Sequence, residues 1–305
     1  MFIGKVLSLA TLVMSYITAG APSSLLVVPM DGSHWIGVKA VAEEISRRGH
    51  EVVVVIPEVS MRLEPSKHCT TKVYPVPYSK DLVDSVHNRY VKLLSRKQPF
   101  LEKVVDMLRN VANISEITRV TAESLLYNKE VMSYLREKQF DALLTDPFVP
   151  TGAILAEHLR LPSIYMLRGM PCGLDNEATA CPAPPSFVPR IFTHNTDHMT
   201  YPQRVLNALV SLLEPIICKF VYRDFDELAS RFLQRDTTVA EILKQASVWL
   251  MSIDFSFEYP RPLMPNMVMV GGINCALRNV LSQVSLVCPH CFVVHQASGS
   301  RAEEA

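Results

Sequence analysis

Two residues far apart in the sequence, His34 and Asp146, have side chains that could work together as a general base. Each lies at the end of an apolar run of strand length, at 25–29 and 140–147. Because the carboxyl ends of parallel strands meet at one edge of a sheet, we expect both side chains on the same rim. There the carboxylate would hold the imidazole tautomer and stabilise the cation that forms when the histidine takes a proton.

Each of these residues also has a purely structural reading. His34 could help Asp31 and Ser33 to cap the following helix, and Asp146 could cap a helix before Pro147. The sequence contains no Gly-x-Ser-x-Gly elbow and no glycine-rich phosphate turn, which disfavours an α/β-hydrolase and a nucleotide-dependent dehydrogenase. A base without its own nucleophile indicates that the substrate supplies the nucleophile.

The element that would position His34 is a strand, turn and helix over residues 23–49. The continuous apolar run at 25–29 is typical of a buried parallel strand. After the turn, apolar residues recur at i, i+3, i+4 and i+7 from Val38, and Gly49 suits the position just past a helix end. A second apolar run at 50–57 follows directly, so the chain begins with a βαβ unit that has a right-handed crossover.

Strands and helices alternate through the rest of the chain, with a charged helical insertion at about 80–138. The pattern predicts an irregular rim loop at 169–189, which has five prolines, and helical structure over 203–245 whose last piece starts at Thr237 or Thr238. A short strand is predicted at 73–76, and its prolines place it at a sheet edge. Further strands are predicted at 140–147, 161–167, 248–253 and 267–270, and a helix is predicted at 151–159. This order predicts the α/β class, with a doubly wound parallel (Rossmann-like) sheet covered by helices on both faces.

Residues 1–21 have the pattern of a secretory signal peptide. A single basic residue, Lys5, precedes an apolar core at 6–17, and small residues follow at 19–21. The apolar core is too short for a spanning helix, so we expect the segment to be removed on entry into the secretory pathway. In that pathway Asn113, followed by Ile and Ser115, is a usable acceptor for an N-linked glycan, which would make the protein a glycoprotein.

Composition excludes some function classes. The 30 basic and 30 acidic residues balance, so the protein has no net positive charge that would attract nucleic acid, and no nucleic-acid partner is expected. Seven cysteines are an odd and sparse set, which leaves at least one thiol unpaired within the chain and the disulfide pairing open. Cys288 and Cys291 form a Cys-x-x-Cys pair by chance, because too few residues follow for a thioredoxin-like domain. His194 and His198 could face one metal ion, but we expect no metal site.

Four long motifs carry a resemblance to a known family: VVPMDGSHW at 27–35, LLTDPF at 143–148, THNTDHM at 193–199 and PNMVMVGGINC at 265–275. The chain resembles the UDP-glucuronosyltransferases of the first subfamily, over an acceptor-binding domain at 22–275. The resemblance implies the N-terminal half of a two-domain GT-B glycosyltransferase. In it His34 would deprotonate the hydroxyl of a small lipophilic acceptor and Asp146 would orient His34. The co-substrate would be UDP-glucuronic acid, attacked with inversion, and no covalently bound cofactor is implied.

The resemblance ends after Cys275, where the family continues into a donor-binding domain and a membrane-spanning helix. Residues 276–305 match nothing in the family pattern, which predicts a truncated isoform with an unrelated tail and no residues for the donor. We therefore expect the acceptor-binding half of a glucuronosyltransferase in the lumen of the endoplasmic reticulum, with no transfer by the 305 residues alone. The alternative is a non-catalytic isoform that binds full-length family members and lowers their activity.

Two expectations concern the surface, the first from the resemblance and the second from the residues of one apolar stretch. Without the second domain the rim of His34 and Asp146 would expose a surface that is normally covered, so we expect association with itself or with family members. The most apolar internal stretch, 205–222, includes Asn207, Glu214, Pro215 and Lys219, and is a poor membrane span. We expect peripheral membrane contact at most and no transmembrane anchor.

Overall fold

The structure, a computed structural model, describes residues 23–95, 100–167, 174–190, 193–253, 255–256 and 258–273. The predicted signal peptide at 1–21 and the predicted tail at 276–305 lie outside these residues. Seven strands are present: β1 Ser24–Val28, β2 Glu51–Pro57, β3 Thr70–Tyr74, β4 Ala142–Thr145, β5 Ser163–Leu167, β6 Val248–Met251 and β7 Met267–Met269. The helices of the described part are α1 His34–Arg47, α2 Lys80–Ser95, α3 Phe100–Leu126, α4 Lys129–Lys138, α5 Thr151–Leu159, α6 Leu174–Thr179, α7 Tyr201–Leu233 and α8 Val239–Leu243.

The strands form one parallel sheet in the order β3-β2-β1-β4-β5-β6-β7. The central strands are buried on both faces. Along β1, Leu26 and Val28 pack into one hydrophobic cluster while Leu25 and Val27 pack into another on the opposite face. Alternate side chains of a strand point to opposite faces, so two buried clusters require helices on both sides. The predicted α/β class and doubly wound parallel sheet are confirmed.

Several element boundaries differ from those the sequence predicts. Strand β3 is an edge strand as expected, but it covers Thr70–Tyr74 and not 73–76, because it pairs with β2 before Pro75 ends it. The predicted irregular loop at 169–189 contains the short helix α6, Leu174–Thr179, so that part of the prediction is wrong. Four of the five prolines in the loop follow residue 181, which leaves 174–179 free of the residue that breaks helices.

The helical regions agree with the pattern. The insertion at 80–138 contains helices α2, α3 and α4 and no strand among its described residues. Helix α8 begins after Thr238, whose side chain accepts from Glu241 N while Glu241 Oε2 accepts from Thr238 N. This reciprocal pair satisfies two donors at the helix start, and of the two predicted starts, Thr237 and Thr238, the structure has Thr238.

Helix α5 packs unusually close to β4 at Gly152. A Cβ atom placed on Gly152 would lie 2.2 Å from Thr145 Oγ1, and that hydroxyl donates to Val28 O over 2.7 Å. Thr145 thereby joins β4 to β1 one residue before Asp146. Gly152 has an ordinary helical backbone conformation, which any residue could adopt. Glycine is therefore required here because there is no room for a side chain.

Replacing Gly152 with alanine is expected to lower the free energy of unfolding by about 1–3 kcal/mol, the usual cost of overpacking a core. The added methyl must displace the Thr145 side chain, and this displacement breaks the hydrogen bond from its hydroxyl to Val28 O. Urea denaturation followed by circular dichroism measures the change. Lys129→Ala, an exposed helical substitution, is the control and should stay within about 0.5 kcal/mol of the parent. Equal midpoints for the two variants would contradict the close packing.

Candidate active site

His34 and Asp146 are hydrogen-bonded to each other at the carboxyl edge of the sheet. His34 Nδ1 lies 2.6 Å from Asp146 Oδ2. The carboxylate accepts, so Nδ1 carries a hydrogen, and in the neutral imidazole the lone pair is then on Nε2. None of the described residues forms a hydrogen bond with Nε2. The imidazole is 21% exposed and the carboxylate 3%, so the ring can meet a ligand while the aspartate stays out of solvent.

Strand register explains why residues so distant in sequence meet. Strands β1 and β4 are neighbours, and Val28 pairs with Thr145 at their carboxyl ends. His34 is the first residue of α1, and Asp146 directly follows β4. The structural reading of Asp146 holds in part, because its Oδ1 accepts from Phe148 N in the turn before α5, but neither residue caps a described helix. Ser33, at the N-cap of α1, makes no side-chain cap bond, and α5 begins at Thr151, well after Asp146.

Both carboxylate oxygens of Asp146 are engaged. Oδ2 accepts from His34, and Oδ1 accepts from Phe148 N over 2.9 Å. The Phe148 ring lies against the imidazole, with centroids 5.4 Å apart at 54°. The backbone bond fixes the carboxylate plane and the ring limits rotation of the imidazole. The pair is therefore held in one geometry before any ligand binds.

Asp31 organises the turn that precedes His34. Its carboxylate accepts from Gly32 N over 2.6 Å, from Met61 N over 2.6 Å and from Arg62 N over 2.9 Å. Gly32 adopts a φ of 85°, a conformation that glycine takes without a Cβ penalty. Asp31 thus ties the loop after β2 to the His34 turn and takes no part in capping α1.

A small cleft opens beside the pair. Its lining comes from the ends of α1, β4, β5 and β6, and it encloses about 10 Å³, the space of roughly one water molecule. Its walls combine apolar side chains, two hydroxyl groups and the His34–Asp146 pair itself: Ser33, His34, Gly37, Val38, Asp146, Met166, Leu167 and Ser252. Phe148 and Ser252 are not among the predicted site residues. Phe148 stands two residues after Asp146, which is the signal that could have found it, whereas nothing local indicates Ser252.

A second cavity, of about 390 Å³, lies at the opposite edge of the sheet. It is lined by residues that precede β4 and β5, among them Phe140 and Leu161, together with His158 and Arg136. Burial, followed by the charge of Arg136, lowers the pKa of His158. His158 Nε2 lies 2.7 Å from an Arg136 nitrogen, so this imidazole is neutral and accepts. The cavity has no group in common with the His34 pair.

The other candidate residues lie away from this rim. His198 is exposed and 3.7 Å from Asp197, and no group of three or more metal-ligating side chains converges in the described part of the chain. The absence of a metal stays a prediction. Asn113 lies in the middle of α3 and is half-buried, and its glycosylation is likewise untested. Cys69 is a free thiol, in keeping with the odd cysteine count, and Cys218 is disulfide-bonded.

Comparison with known sequences identifies the family. The family described as UDP-glucoronosyl and UDP-glucosyl transferase matches residues 23–300 of this chain. This chain belongs to that family. The match extends beyond Cys275, into the segment for which the motifs predict no family resemblance.

Individual relatives show how much of a family member is present. The chain is 43% identical to rat UDP-glucuronosyltransferase 1A1 over 266 residues, which are 87% of this chain and 50% of the relative. It is 45% identical to human UDP-glucuronosyltransferase 1A6 over 259 residues, 85% of this chain and 49% of the relative. The chain thus spans about half the length of these relatives. A solved calicheamicin glycosyltransferase, CalG4, superposes with a TM-score of 0.46 at 14% identity, over 83% of this chain and 53% of that chain.

Proposed function

We propose that residues 22–275 form the acceptor-binding half of a UDP-glucuronosyltransferase, with His34 as the general base. The observation that carries this proposal is the 2.6 Å bond between His34 Nδ1 and Asp146 Oδ2, which engages Nδ1 and turns Nε2 toward a partly open rim. A general base must present a free lone pair within hydrogen-bond reach of the proton that it removes. Asp146 is the positioning residue, because it acts through His34.

The proposed reaction transfers a glucuronyl group to oxygen. His34 Nε2 takes the proton of the acceptor hydroxyl as that oxygen attacks the anomeric carbon of UDP-glucuronic acid. The bond from that carbon to the UDP oxygen breaks, its electron pair leaves with UDP, and the configuration at the anomeric carbon inverts. Asp146 stabilises the imidazolium that forms, and the buried position of its carboxylate strengthens this interaction.

The acceptor in this proposal is a small lipophilic phenol or alcohol. Phe148, Val38 and Met166 supply apolar surface next to His34, which suits a carbon skeleton better than a charged one. UDP-glucuronic acid as co-substrate is supported by the relatives that carry that activity in their names. The proposed compartment is the lumen of the endoplasmic reticulum, and the disulfide-bonded Cys218 supports an oxidising environment.

A chimeric transferase tests the proposal. Residues 22–275 of this chain replace the corresponding half of human UDP-glucuronosyltransferase 1A6, to which the chain is 45% identical. Membranes that contain the chimera are incubated with a simple phenol and either UDP-glucuronic acid or UDP-glucose. We expect the phenyl glucuronide as the main product. The intact human enzyme, expressed in parallel, is the control. A folded chimera that binds the phenol and forms no glycoside would contradict the proposal.

A further inference from the structure

The first half of α7 presents an apolar surface to the outside of the molecule. Within Tyr201–Leu233 one 18-residue window is apolar enough to cross a membrane by length and composition, and only 22% of that window is buried. Phe220 is 80% exposed and Leu212 is 73% exposed. Seven further large apolar side chains of this half are exposed: Tyr201, Val205, Leu206, Leu209, Leu213, Ile216 and Ile217. These nine residues are called the α7 face below.

The side of α7 that points into the protein is polar. Asn207, Ser211 and Glu214 recur at helical spacing. Asn207 bonds to the proline-rich rim loop at 169–189, and Ser211 and Glu214 bond to Arg190, which directly follows that loop. Asn207 donates to Pro185 O over 2.7 Å and to Val188 O over 2.9 Å, and its Oδ1 accepts from Arg190 N over 2.8 Å.

Arg190 completes this polar side. Its guanidinium donates to Glu214 Oε2 over 2.9 Å and to Ser211 Oγ over 3.0 Å. Both charged side chains are nearly buried, with 10% of Arg190 and 7% of Glu214 exposed. This half of α7 is therefore inverted relative to the surface helix of a soluble protein, whose apolar stripe points to the core.

We propose that the α7 face lies in the headgroup region of a lipid bilayer, with α7 parallel to the membrane plane. Exposing the apolar outer face of such a helix to water costs free energy, and burying that face in the hydrocarbon at a bilayer surface removes this cost. The inward side disfavours a transmembrane position, because withdrawing α7 from the rim loop would break the ion pair of Arg190 with Glu214 and place Glu214 in hydrocarbon. This inference does not rest on the proposed transferase activity.

Basic side chains mark both ends of the α7 face. Exposed Arg204 lies near its start, and exposed Lys219 and Arg223 lie at its end. Long cationic side chains beside an interfacial helix reach lipid phosphates while their stems cover apolar surface. A second copy of the chain fits this pattern poorly, since antiparallel pairing of two α7 faces would place Arg204 of one copy near Lys219 and Arg223 of the other.

Membrane contact at this face would bear on the site directly. Further along α7, Tyr222 donates its hydroxyl to Phe148 O over 3.3 Å, and Phe148 packs on His34. The helix that lies on the bilayer therefore also buttresses the catalytic rim. A lipophilic acceptor dissolved in the bilayer would be presented close to that rim.

Binding to lipid vesicles tests the proposal on the full chain. The vesicles are made of phosphatidylcholine with or without one quarter phosphatidylserine, and the bound fraction is measured by flotation. The variant Leu212→Gln/Ile216→Gln/Phe220→Gln changes three exposed side chains, so the fold is kept. Val73→Gln/Leu82→Gln/Val91→Gln makes the same change at exposed positions elsewhere and is the control. We expect the α7 variant to bind at least tenfold more weakly than the parent, while the control binds like the parent. Equal binding by both variants would overturn the proposal.

A fluorescent reporter locates the contact. The two native tryptophans, Trp35 and Trp249, are buried at 3% and 1% exposure, so a tryptophan placed at Leu212 would report its own environment. We expect a blue shift and quenching by brominated lipid for Leu212→Trp, and neither for Val73→Trp. Absence of quenching at position 212 would overturn the proposal. A dimer in lipid-free solution that the triple α7 variant abolishes, with no vesicle binding by the parent, would overturn it in favour of a second copy.

Discussion

Replacing His34 with alanine in the chimeric transferase is expected to lower kcat on the order of a hundredfold or more, the usual contribution of a positioned general base. The alanine variant has no group at this position that could take the hydroxyl proton. The rate of glucuronide formation at saturating UDP-glucuronic acid measures the effect. His87→Ala, at an exposed position of α2, is the matched control and should keep the parent rate. Near-normal turnover by the His34 variant would end its assignment as the base.

The partner variant Asp146→Asn separates positioning from structure. An asparagine fills the same space, but it cannot hold the imidazole as a carboxylate does or balance its charge. We expect kcat to fall by an amount similar to that of His34→Ala, and the double variant to be no slower than the slower single variant. Groups that act as a unit are non-additive in this way. Multiplied losses in the double variant would show that the two residues act independently.

The second large effect is expected at the buried ion pair that joins the rim loop to α7. Arg190→Met removes the guanidinium and leaves Glu214 buried and without its cation. Loss of one partner from such a pair typically costs about 3–5 kcal/mol in the free energy of unfolding. Urea denaturation of the chain, with the midpoint and the slope both fitted, measures this loss.

Two comparisons make this result specific. Arg190→Met/Glu214→Leu removes both charges, and we expect it to recover most of the lost stability, because an apolar pair of similar volume often replaces a buried ion pair at little cost. Arg223→Met removes one partner of the exposed pair of Arg223 with Glu227, whose side chains are 72% and 68% exposed, and should cost less than about 1 kcal/mol. If Arg190→Met lowers the free energy of unfolding by no more than Arg223→Met does, the pair of Arg190 with Glu214 does not anchor the rim loop.

Local sequence determined much of the fold. The apolar runs predicted the parallel strands, the residues at their carboxyl ends predicted a shared rim, and Thr238 marked the start of α8 correctly. These features depend on the order of apolar and polar residues over a few positions, which the sequence states directly. The His34 and Asp146 pair was predictable to the level of one rim, since both follow strands that the pattern indicates.

Only the tertiary structure decided the features that depend on distant partners. Three contacts join segments that are distant in sequence, and no local pattern in either segment indicates its partner. They are the pairing of Val28 with Thr145, the packing of Phe148 against the imidazole and the bonds from the loop after β2 to Asp31. The same holds for α7. In the sequence Asn207 and Glu214 interrupt an apolar stretch, whereas in the structure they form its inward side, because the rim loop supplies Arg190 and the carbonyl groups that satisfy them. Helical periodicity fixes which residues share a face, but the element packed against that face decides which side is inside.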